Sequence, residues 1–146
     1  MNSRVHVGDD IRRALADRRP VVAIETVVMT HGLPEPLRGP LATAMAAAVR
    51  ASGAVPAFVG LVRGVLRIGI DPEELLAACR PDALKGSLTT LAIGAATGRS
   101  GGTTVAGTLA AAALARIPVA VAGGIGGLHR GWQRELDVSG DLLALA

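Results

Sequence analysis

Continuous apolar runs alternate with alanine-rich segments along this chain, and this alternation restricts the possible folds more than any other feature. The clearest run is VVAIETVVM at residues 21–29, which is rich in β-branched side chains and carries one carboxylate, Glu25. An uninterrupted apolar run is typical of a strand that is buried on both faces of a parallel sheet. We therefore predict a buried strand over 21–29.

Turn and capping signals divide the rest of the chain. Asp71 is predicted to cap a helix that has Pro72 at its first position, and Arg63-Gly64 is short enough to be a hairpin turn. The predicted helices are 9–18, 37–52, 72–80, 88–96 and 136–145, and residues 101–108 open a further helix that continues to 115. The further predicted strands are 54–62, 65–70 and 117–122. This order predicts a single α/β domain over 1–146, a largely parallel sheet with helices on both faces and one antiparallel hairpin.

Composition excludes several classes of protein. The chain has one Phe, one Trp and no Tyr, so it lacks the aromatic platform that stacks single-stranded nucleic acid. The net charge is +3 and the arginines are scattered, which does not favour a DNA-binding stripe. Cys79 is the only cysteine, is predicted to be a small buried side chain, and fits a reducing cytoplasm. Gly, Pro or Arg interrupts every apolar run, so we expect no membrane span and no signal peptide.

A glycine-rich segment, GGIGGLHRG at 123–131, follows the predicted strand 117–122, an apolar run that we expect to be buried. Glycines are costly in backbone entropy and suit a chain that turns sharply or approaches a ligand closely. Anions, metal ions and sugar hydroxyls are all plausible ligands for such a loop. The glycine spacing differs from the dinucleotide-binding fingerprint, and no acidic residue ends a second strand about 20 residues later, which argues against a nicotinamide cofactor.

Two side chains stand out from their surroundings. Glu25 is either a hydrogen-bonded structural carboxyl or a general acid whose pKa is raised by burial. Its place towards the end of a strand favours the second reading, because ligands collect at the carboxyl ends of strands in α/β sheets. Lys85 is the only lysine in a chain that otherwise uses arginine. It is either a solvated loop residue or a site that needs a compact ammonium group.

Two further patterns leave alternatives open. Residues 101–104, GGTT, precede a helix and suit either a phosphate or ordinary capping. Asp137 and Asp141 are four residues apart and would share a face if helical. With His129 nearby, these carboxylates would hold a hard divalent cation through water. The alternative is that Asp137 or Ser139 caps the last helix.

Several of these motifs occur together in one known family. They are VVAIET at 21–26, THGLP at 30–34, GAVPA at 53–57, GTTVA at 102–106, GGIGGLHRG at 123–131 and DVSGDL at 137–142. In this order and spacing the chain resembles the pseudouridine-5′-phosphate glycosidases from Pro20 onwards. That family reversibly splits the C–C glycosidic bond of pseudouridine 5′-phosphate to give uracil and ribose 5-phosphate.

The resemblance implies a role for each candidate residue. Glu25 corresponds to the proton donor, and Asp137 corresponds to the ligand of one Mn²⁺ ion that is otherwise held by waters. The substrate contacts implied are Lys85, Val105 through its backbone, Ser139, Gly140 and Asp141. The family also implies a cytoplasmic homotrimer whose ligands are small molecules rather than nucleic acids or membranes.

The chain departs from the family in one important respect. The family's nucleophilic lysine, which forms a covalent adduct with the opened ribose, lies in a segment just after the part that matches 136–145. Lys85 corresponds to a different lysine. Thr26-Val27 and Leu88-Thr89 also replace the family's usual residues. We therefore expect the N-terminal half of the family's fold, inactive alone; the alternative is a non-catalytic module that binds a sugar phosphate or a metal.

Overall fold

The computed structural model describes residues 4–78 and 82–146. The strands are β1 (Val5–Val7), β2 (Val21–Ile24), β3 (Val55–Val62), β4 (Val65–Ile68), β5 (Gly101–Gly102) and β6 (Val119–Val121). The helices are α1 (Asp9–Ala16), α2 (Glu35–Ala51), α3 (Pro72–Ala78), α4 (Thr90–Thr97), α5 (Val105–Ala115), α6 (Trp132–Glu135) and α7 (Gly140–Leu145), and a π-helical turn spans Val28–Gly32. The predictions for Cys79 and for a helix reaching residue 80 lie outside the described residues.

The sheet is largely parallel, as the sequence predicts. Its strand order is β1-β4-β3-β2-β6, and β5 pairs with β3 off this path. β2 runs parallel to both β3 and β6, and β1 runs parallel to β4. The predicted hairpin joins β3 to β4, and its turn residues Arg63 and Gly64 both have positive φ, 48° and 77°. Two left-handed residues match the twist of a two-residue hairpin.

Helices cover both faces of the sheet, which confirms the predicted layers. On one face, α1 and α5 pack through Ile11, Ala14, Ala111 and Ala112. On the other face, α2 and α3 pack through Ala42, Ala46 and Leu75 against Ile24 and Phe58. The alanines let the helices approach the sheet closely. The helix predicted from Asp71 also forms, because Asp71 Oδ1 accepts hydrogen bonds from the backbone of Glu73 and Glu74.

The strand predicted over 21–29 is too long. β2 ends at Ile24, and the N–H groups of Thr26 and Val27 both donate to the Thr103 carbonyl, at 3.3 and 3.1 Å. The chain then enters the π-helical turn instead of extending the sheet. The sequence also gave no indication of β1, and α2 begins at Glu35, two residues before the predicted start.

The C-terminal quarter differs most from prediction. β6 forms, but all three of its residues are exposed rather than buried. The helix predicted over 136–145 does not run through, because Leu136 is left-handed (φ 52°) and Val138 bridges Leu128 in an extended segment. Asp137 and Asp141 therefore do not share a helical face. Within the described ranges, no helix combines the length and hydrophobicity that a bilayer crossing requires.

Candidate functional site

Glu25 lies at the carboxyl end of β2, in the position that the sequence suggested. Its backbone N–H donates to the Val121 carbonyl at 3.0 Å, so the residue is still held beside β6 where the strand ends. The residue is only 3% exposed. The turn that follows brings the Val28 N–H back to Glu25 Oε1 at 3.1 Å. Helical π-turns often mark functional positions, and this one turns the backbone over the carboxyl.

Burial raises the pKa of the Glu25 carboxyl above its ordinary value. The backbone N–H groups of Val28, Val27 and Gly123 oppose the rise, because they stabilise the carboxylate. The negative charge of Asp141 adds to the rise, which means that the two acids are electrostatic neighbours. Burial therefore makes Glu25 a weaker acid than a free glutamate, and the N–H groups around it stabilise the carboxylate that remains when the proton leaves.

A cluster of buried threonines holds the Glu25 segment in place, and sequence reasoning missed this role. The Thr103 N–H donates to Thr26 Oγ1 at 3.0 Å. The hydroxyls of Thr26 and Thr103 both donate to the Val59 carbonyl, and Thr103 Oγ1 also lies 2.8 Å from Thr108 Oγ1. These bonds fasten the end of β2 to β3 and to the start of α5. Threonines at 26, 103 and 108 inside otherwise apolar or small-residue segments were the available signal.

The start of α5 is tied to the glycine loop by Asp141. One Asp141 oxygen accepts from the Ala106 N–H at 2.8 Å, and the other accepts from the Gly126 N–H at 3.0 Å. A Cβ on Gly126 would lie 2.1 Å from Ser139 Oγ, so only glycine lets the loop approach this closely. The protein's own carboxylate thus occupies the N-terminal end of α5, which the sequence had suggested for a phosphate.

Val105 lies at the first position of α5 and is buried. Thr104 caps the helix, since its Oγ1 accepts from the Gly107 N–H at 3.4 Å and its carbonyl accepts from Thr108 at 2.8 Å. Among the described residues, the Val105 N–H has no protein acceptor. A free backbone donor at a helix start is what a contact between the Val105 backbone and a substrate requires.

Lys85 lies beside the same helix start. The next residue, Gly86, pairs with Thr103: its N–H donates to the Gly102 carbonyl at 2.8 Å, and its carbonyl accepts from Thr104 at 3.0 Å. The lysine itself is exposed and takes part in none of the ion pairs found among the described residues. Its ammonium group therefore has no carboxylate partner among the described residues, and it belongs to the residue just before the Gly86–Thr103 bridge.

Asp137 lies further out, in the segment that follows α6. Its Oδ2 contacts His129 Nδ1, and both side chains are at least half exposed. Ser139 is fixed by its N–H, which donates to the Gly127 carbonyl at 3.0 Å, and its Oγ caps α7 by accepting from Asp141 at 3.2 Å. The predicted cap at Ser139 is thus present, while Asp137 does not cap.

The donor set around Asp137 suits a weakly held cation. One carboxylate and one imidazole would bind a divalent ion mainly through waters. No cluster of three or more potential ligand side chains occurs among the described residues. The arrangement fits one largely hydrated ion and does not fit a tightly caged one.

Two sizeable clefts lie away from these residues. A cleft of about 540 Å³ is lined by Val62, Arg63 and Glu74 among others, and one of about 490 Å³ lies between α2 and α3. Glu25 and its neighbours line neither cleft. Neither cleft therefore belongs to the candidate site.

Comparison with known proteins places this arrangement in a family. Residues 10–146 match the family model described as indigoidine synthase A like protein. The pseudouridine-5′-phosphate glycosidase of Paracoccus denitrificans is 44% identical over 145 residues, which is 97% of this chain and 48% of that protein. The corresponding protein of Thermus thermophilus is 50% identical over 129 residues, covering 88% of this chain and 45% of the relative.

Solved structures agree with these relatives. The prealnumycin C-glycosynthase AlnA, solved in complex with ribulose 5-phosphate, superposes with a TM-score of 0.80 at 39% identity. An indigoidine synthase A-like protein from Thermotoga maritima superposes with a TM-score of 0.83 at 32% identity. Each match covers 96% of this chain and 45% of the solved chain.

The chain spans about half the length of the curated relatives it matches, so its sheet and helices are an incomplete version of the family fold. The match nevertheless includes every residue of the candidate site, from Glu25 to Asp141. The chain therefore belongs to the indigoidine synthase A-like family, together with the pseudouridine-5′-phosphate glycosidases.

Proposed function

We propose that this chain supplies the proton donor and part of the substrate-binding surface of a pseudouridine-5′-phosphate glycosidase. The observation that carries the proposal is the buried Glu25 carboxyl, held at the carboxyl end of β2 with a raised pKa. The names of the most similar relatives support it. A solved relative that holds ribulose 5-phosphate, an isomer of ribose 5-phosphate, supports a sugar phosphate as the ligand class.

The proposed reaction needs an acid of this kind. Cleavage of pseudouridine 5′-phosphate breaks a bond between a ribose carbon and a uracil carbon, and the bonding electron pair leaves with uracil. The uracil carbon must gain a proton as the bond breaks, and the ribose carbon gains oxygen from water overall. A carboxyl whose pKa is raised by burial holds its proton to higher pH than a free glutamate and can give that proton, and the N–H groups around Glu25 then stabilise its carboxylate.

The remaining candidate residues lie around the same edge of the sheet. The exposed Lys85 ammonium and the free Val105 N–H suit the anionic and hydroxyl groups of a sugar phosphate. Asp141 holds the glycine loop against α5, and each of its oxygens keeps a lone pair that can accept a substrate hydroxyl. Ser139 and Gly140 start α7 beside it.

Asp137 is the residue that would hold a divalent metal, with Mn²⁺ as the proposed ion. A hydrated cation at this position would supply positive charge close to an anionic sugar. Asp137 Oδ2 first has to leave His129 Nδ1, or share the ion with it. The half-exposed carboxylate has room for the waters that would complete the coordination.

The chain is proposed to be inactive alone. Its only lysine, Lys85, corresponds to a substrate-contacting residue of the family and not to the lysine that forms the covalent adduct. Without that adduct, the ribose carbon has no electron sink attached to it. General acid help from Glu25 alone is worth about 10²–10⁴ in rate. Turnover therefore requires the segment that carries the nucleophile.

A complementation assay tests the proposal. The chain is co-expressed with the part of the Paracoccus denitrificans relative that lies outside the matched 145 residues, and uracil release from pseudouridine 5′-phosphate is followed by absorbance. We expect release only from the mixture. In that mixture Glu25→Gln should lower kcat by about 10²–10⁴, while Glu73→Gln, an exposed carboxyl on α3, should leave kcat unchanged.

Two results would overturn the proposal. Turnover by the chain alone would assign the nucleophile to Lys85. Near-normal kcat for Glu25→Gln in the mixture would show that Glu25 is a structural buried acid. The alternative module, which binds a sugar phosphate without reaction, is favoured if the mixture binds ribose 5-phosphate by calorimetry and releases no uracil.

A further inference from the structure

β6 has the sequence of an interior strand but the surroundings of an exterior one. The segment 117–122, IPVAVA, carries no charged residue. In the structure Val119 is 51% exposed and Val121 is 42% exposed. Edge strands of soluble proteins are usually protected by charges, bulges or a covering element. Among the described residues, β6 pairs only with β2, so its outer edge has free hydrogen-bonding groups and no such protection.

The neighbouring segments show the same excess of exposed apolar side chains. β6 leads into the glycine loop, and Gly126 of that loop is bonded to Asp141 of α7. We call these three segments the β6–α7 surface; its exposed apolar members include Val119, Val121, Ile125, Leu128, Leu143 and Leu145. Single exposed apolar residues are ordinary, but a cluster of this size on adjacent segments marks an interaction surface.

The comparisons indicate what covers this surface. Two solved relatives superpose on 96% of this chain, yet the superposed part is only 45% of each solved chain. Curated relatives extend beyond the match by a similar share. More than half of each relative's polypeptide therefore lies outside the part that this chain matches, and we infer that it packs on this fold. The other faces of the sheet are covered by α1, α5, α2 and α3, whereas the outer edge of β6 is open.

We propose that the β6–α7 surface is the docking site for a polypeptide equivalent to the relatives' remaining half, held mainly by apolar contacts and by backbone pairing along β6. The inference rests on family membership and not on the proposed reaction. A polypeptide that adds a strand to β6 would satisfy its free backbone groups and bury Val119 and Val121. It would also bring the second half of the site to the edge where Glu25 lies.

Binding can be measured without any enzyme assay. The 146-residue chain is co-expressed with the affinity-tagged remainder of the Paracoccus denitrificans relative, and the purified material is examined by size-exclusion chromatography with light scattering. We expect a complex with equal numbers of the two polypeptides. Because the contact is mainly apolar, raising the salt from 0.1 to 1 M should not dissociate it.

Two matched substitutions locate the surface. Val121→Asp and Leu143→Asp should each weaken the complex by at least about 30-fold, the loss expected of a central interface residue. Ile93→Asp is the control, because Ile93 on α4 is 55% exposed but lies outside the β6–α7 surface. It should leave the affinity unchanged. Circular dichroism of each variant alone should match the parent, since all three side chains are already open to solvent.

Three results would overturn the inference. The first is the absence of a complex on co-expression. The second is a complex that survives both Val121→Asp and Leu143→Asp. The third is a homodimer of the chain alone that Val121→Asp dissociates, which would mean that a second copy covers the edge. A complex that forms as expected but releases no uracil would leave the docking surface intact and count against the proposed reaction alone.

Discussion

β2 and β6 are neighbours in one parallel sheet and have similar apolar sequences, yet they differ completely in burial. β2 lies between β3 and β6 and is covered on both faces, so Val21, Ala23 and Ile24 are buried. β6 has a partner on one side only among the described residues, and all three of its residues are exposed. An apolar strand sequence thus predicts that other segments must bury the strand. Whether the strand is in fact buried depends on which other segments pack against it.

The candidate site crosses the boundary between these two regions. Glu25 and its threonine cluster belong to the buried region, where β3, β5 and α5 fix them from several sides. Asp137 belongs to the exposed region, where its recorded side-chain contact is His129. The proposed proton donor is therefore held rigidly in this chain, while the proposed metal ligand rests on a loop. This difference determines how substitutions in the two regions should behave.

The largest expected effect is a loss of stability from Gly102→Ala in the buried region. A Cβ there would lie 2.5 Å from Thr30 Oγ1 and 2.7 Å from the Thr26 carbonyl. The carbonyl is backbone and cannot move aside, so β5 would be pushed away from the Glu25 segment. We expect the free energy of unfolding in urea to fall by about 2–3 kcal/mol.

Gly124→Ala is the matched change in the exposed region. A Cβ on Gly124 would meet nothing within 4 Å. The free energy of unfolding should change by less than about 0.5 kcal/mol. Equal losses for the two variants would contradict the contrast between the regions, because the glycine loop would then be packed as tightly as β5.

The next effect is a pH dependence of stability that comes from Glu25. Because its pKa is raised on folding, the native state binds this proton more tightly than the unfolded state does. Stability from this group is therefore present below the ordinary pKa of a glutamate and falls as the pH rises through the raised value. Each pH unit by which folding raises the pKa of Glu25 corresponds to about 1.4 kcal/mol in the free energy of unfolding.

Glu25→Gln should remove that decline. The free energy of unfolding, measured at intervals from acid to neutral pH, should fall less steeply for the variant than for the parent. Glu73→Gln removes an exposed carboxyl and should keep the parent's slope. Parallel profiles for the parent and Glu25→Gln would show that the carboxyl has the same pKa in the folded and unfolded chains.

The sequence predicts elements well where local signals decide them. Asp71 caps the helix that starts at Pro72, and Arg63-Gly64 makes a two-residue hairpin turn in which both residues adopt positive φ. Glu25 could be singled out because a carboxylate in an apolar run is costly unless it has a role. The helix and the hairpin depend on a few adjacent residues, and the structure confirms both; it also shows that Glu25 is buried, while its role stays a prediction.

Predictions failed where distant segments decide the outcome. β2 stops at Ile24 because the Thr103 carbonyl, nearly eighty positions away, takes the next two N–H groups. The extended Val138, which bridges Leu128, separates Asp137 from Asp141, and no local signal distinguishes that residue from a helical valine. The burial predicted for β6 is absent because no described segment lies against its outer edge. Each failure involves a long-range partner that a single sequence does not reveal.

Asp141 joins the two regions, and Asp141→Asn should loosen the connection locally. An amide is uncharged and has one acceptor oxygen, so either the Ala106 or the Gly126 N–H loses its acceptor altogether and the other keeps only a neutral one. Hydrogen bonds to charged groups contribute about 1.5–3 kcal/mol. We expect at least about tenfold faster hydrogen exchange at one of these two amides, which corresponds to 1.4 kcal/mol. Asp137→Asn should leave both amides protected, and fast exchange there would mean that the loop opens as a whole.

The smallest expected effect concerns metal binding in the exposed region. Mn²⁺ titrated into the chain should bind weakly, as measured by loss of the free-ion EPR signal, because one carboxylate with waters gives little affinity. Asp137→Ala should abolish that binding, whereas Asp17→Ala, which removes an exposed carboxylate after α1, should not. His129→Ala separates two arrangements: binding strengthens if the imidazole only competes for Asp137 Oδ2, and weakens if it shares the ion. Unchanged Mn²⁺ binding by Asp137→Ala would show that this residue does not hold the ion, and no metal site would then be assigned beside the glycine loop.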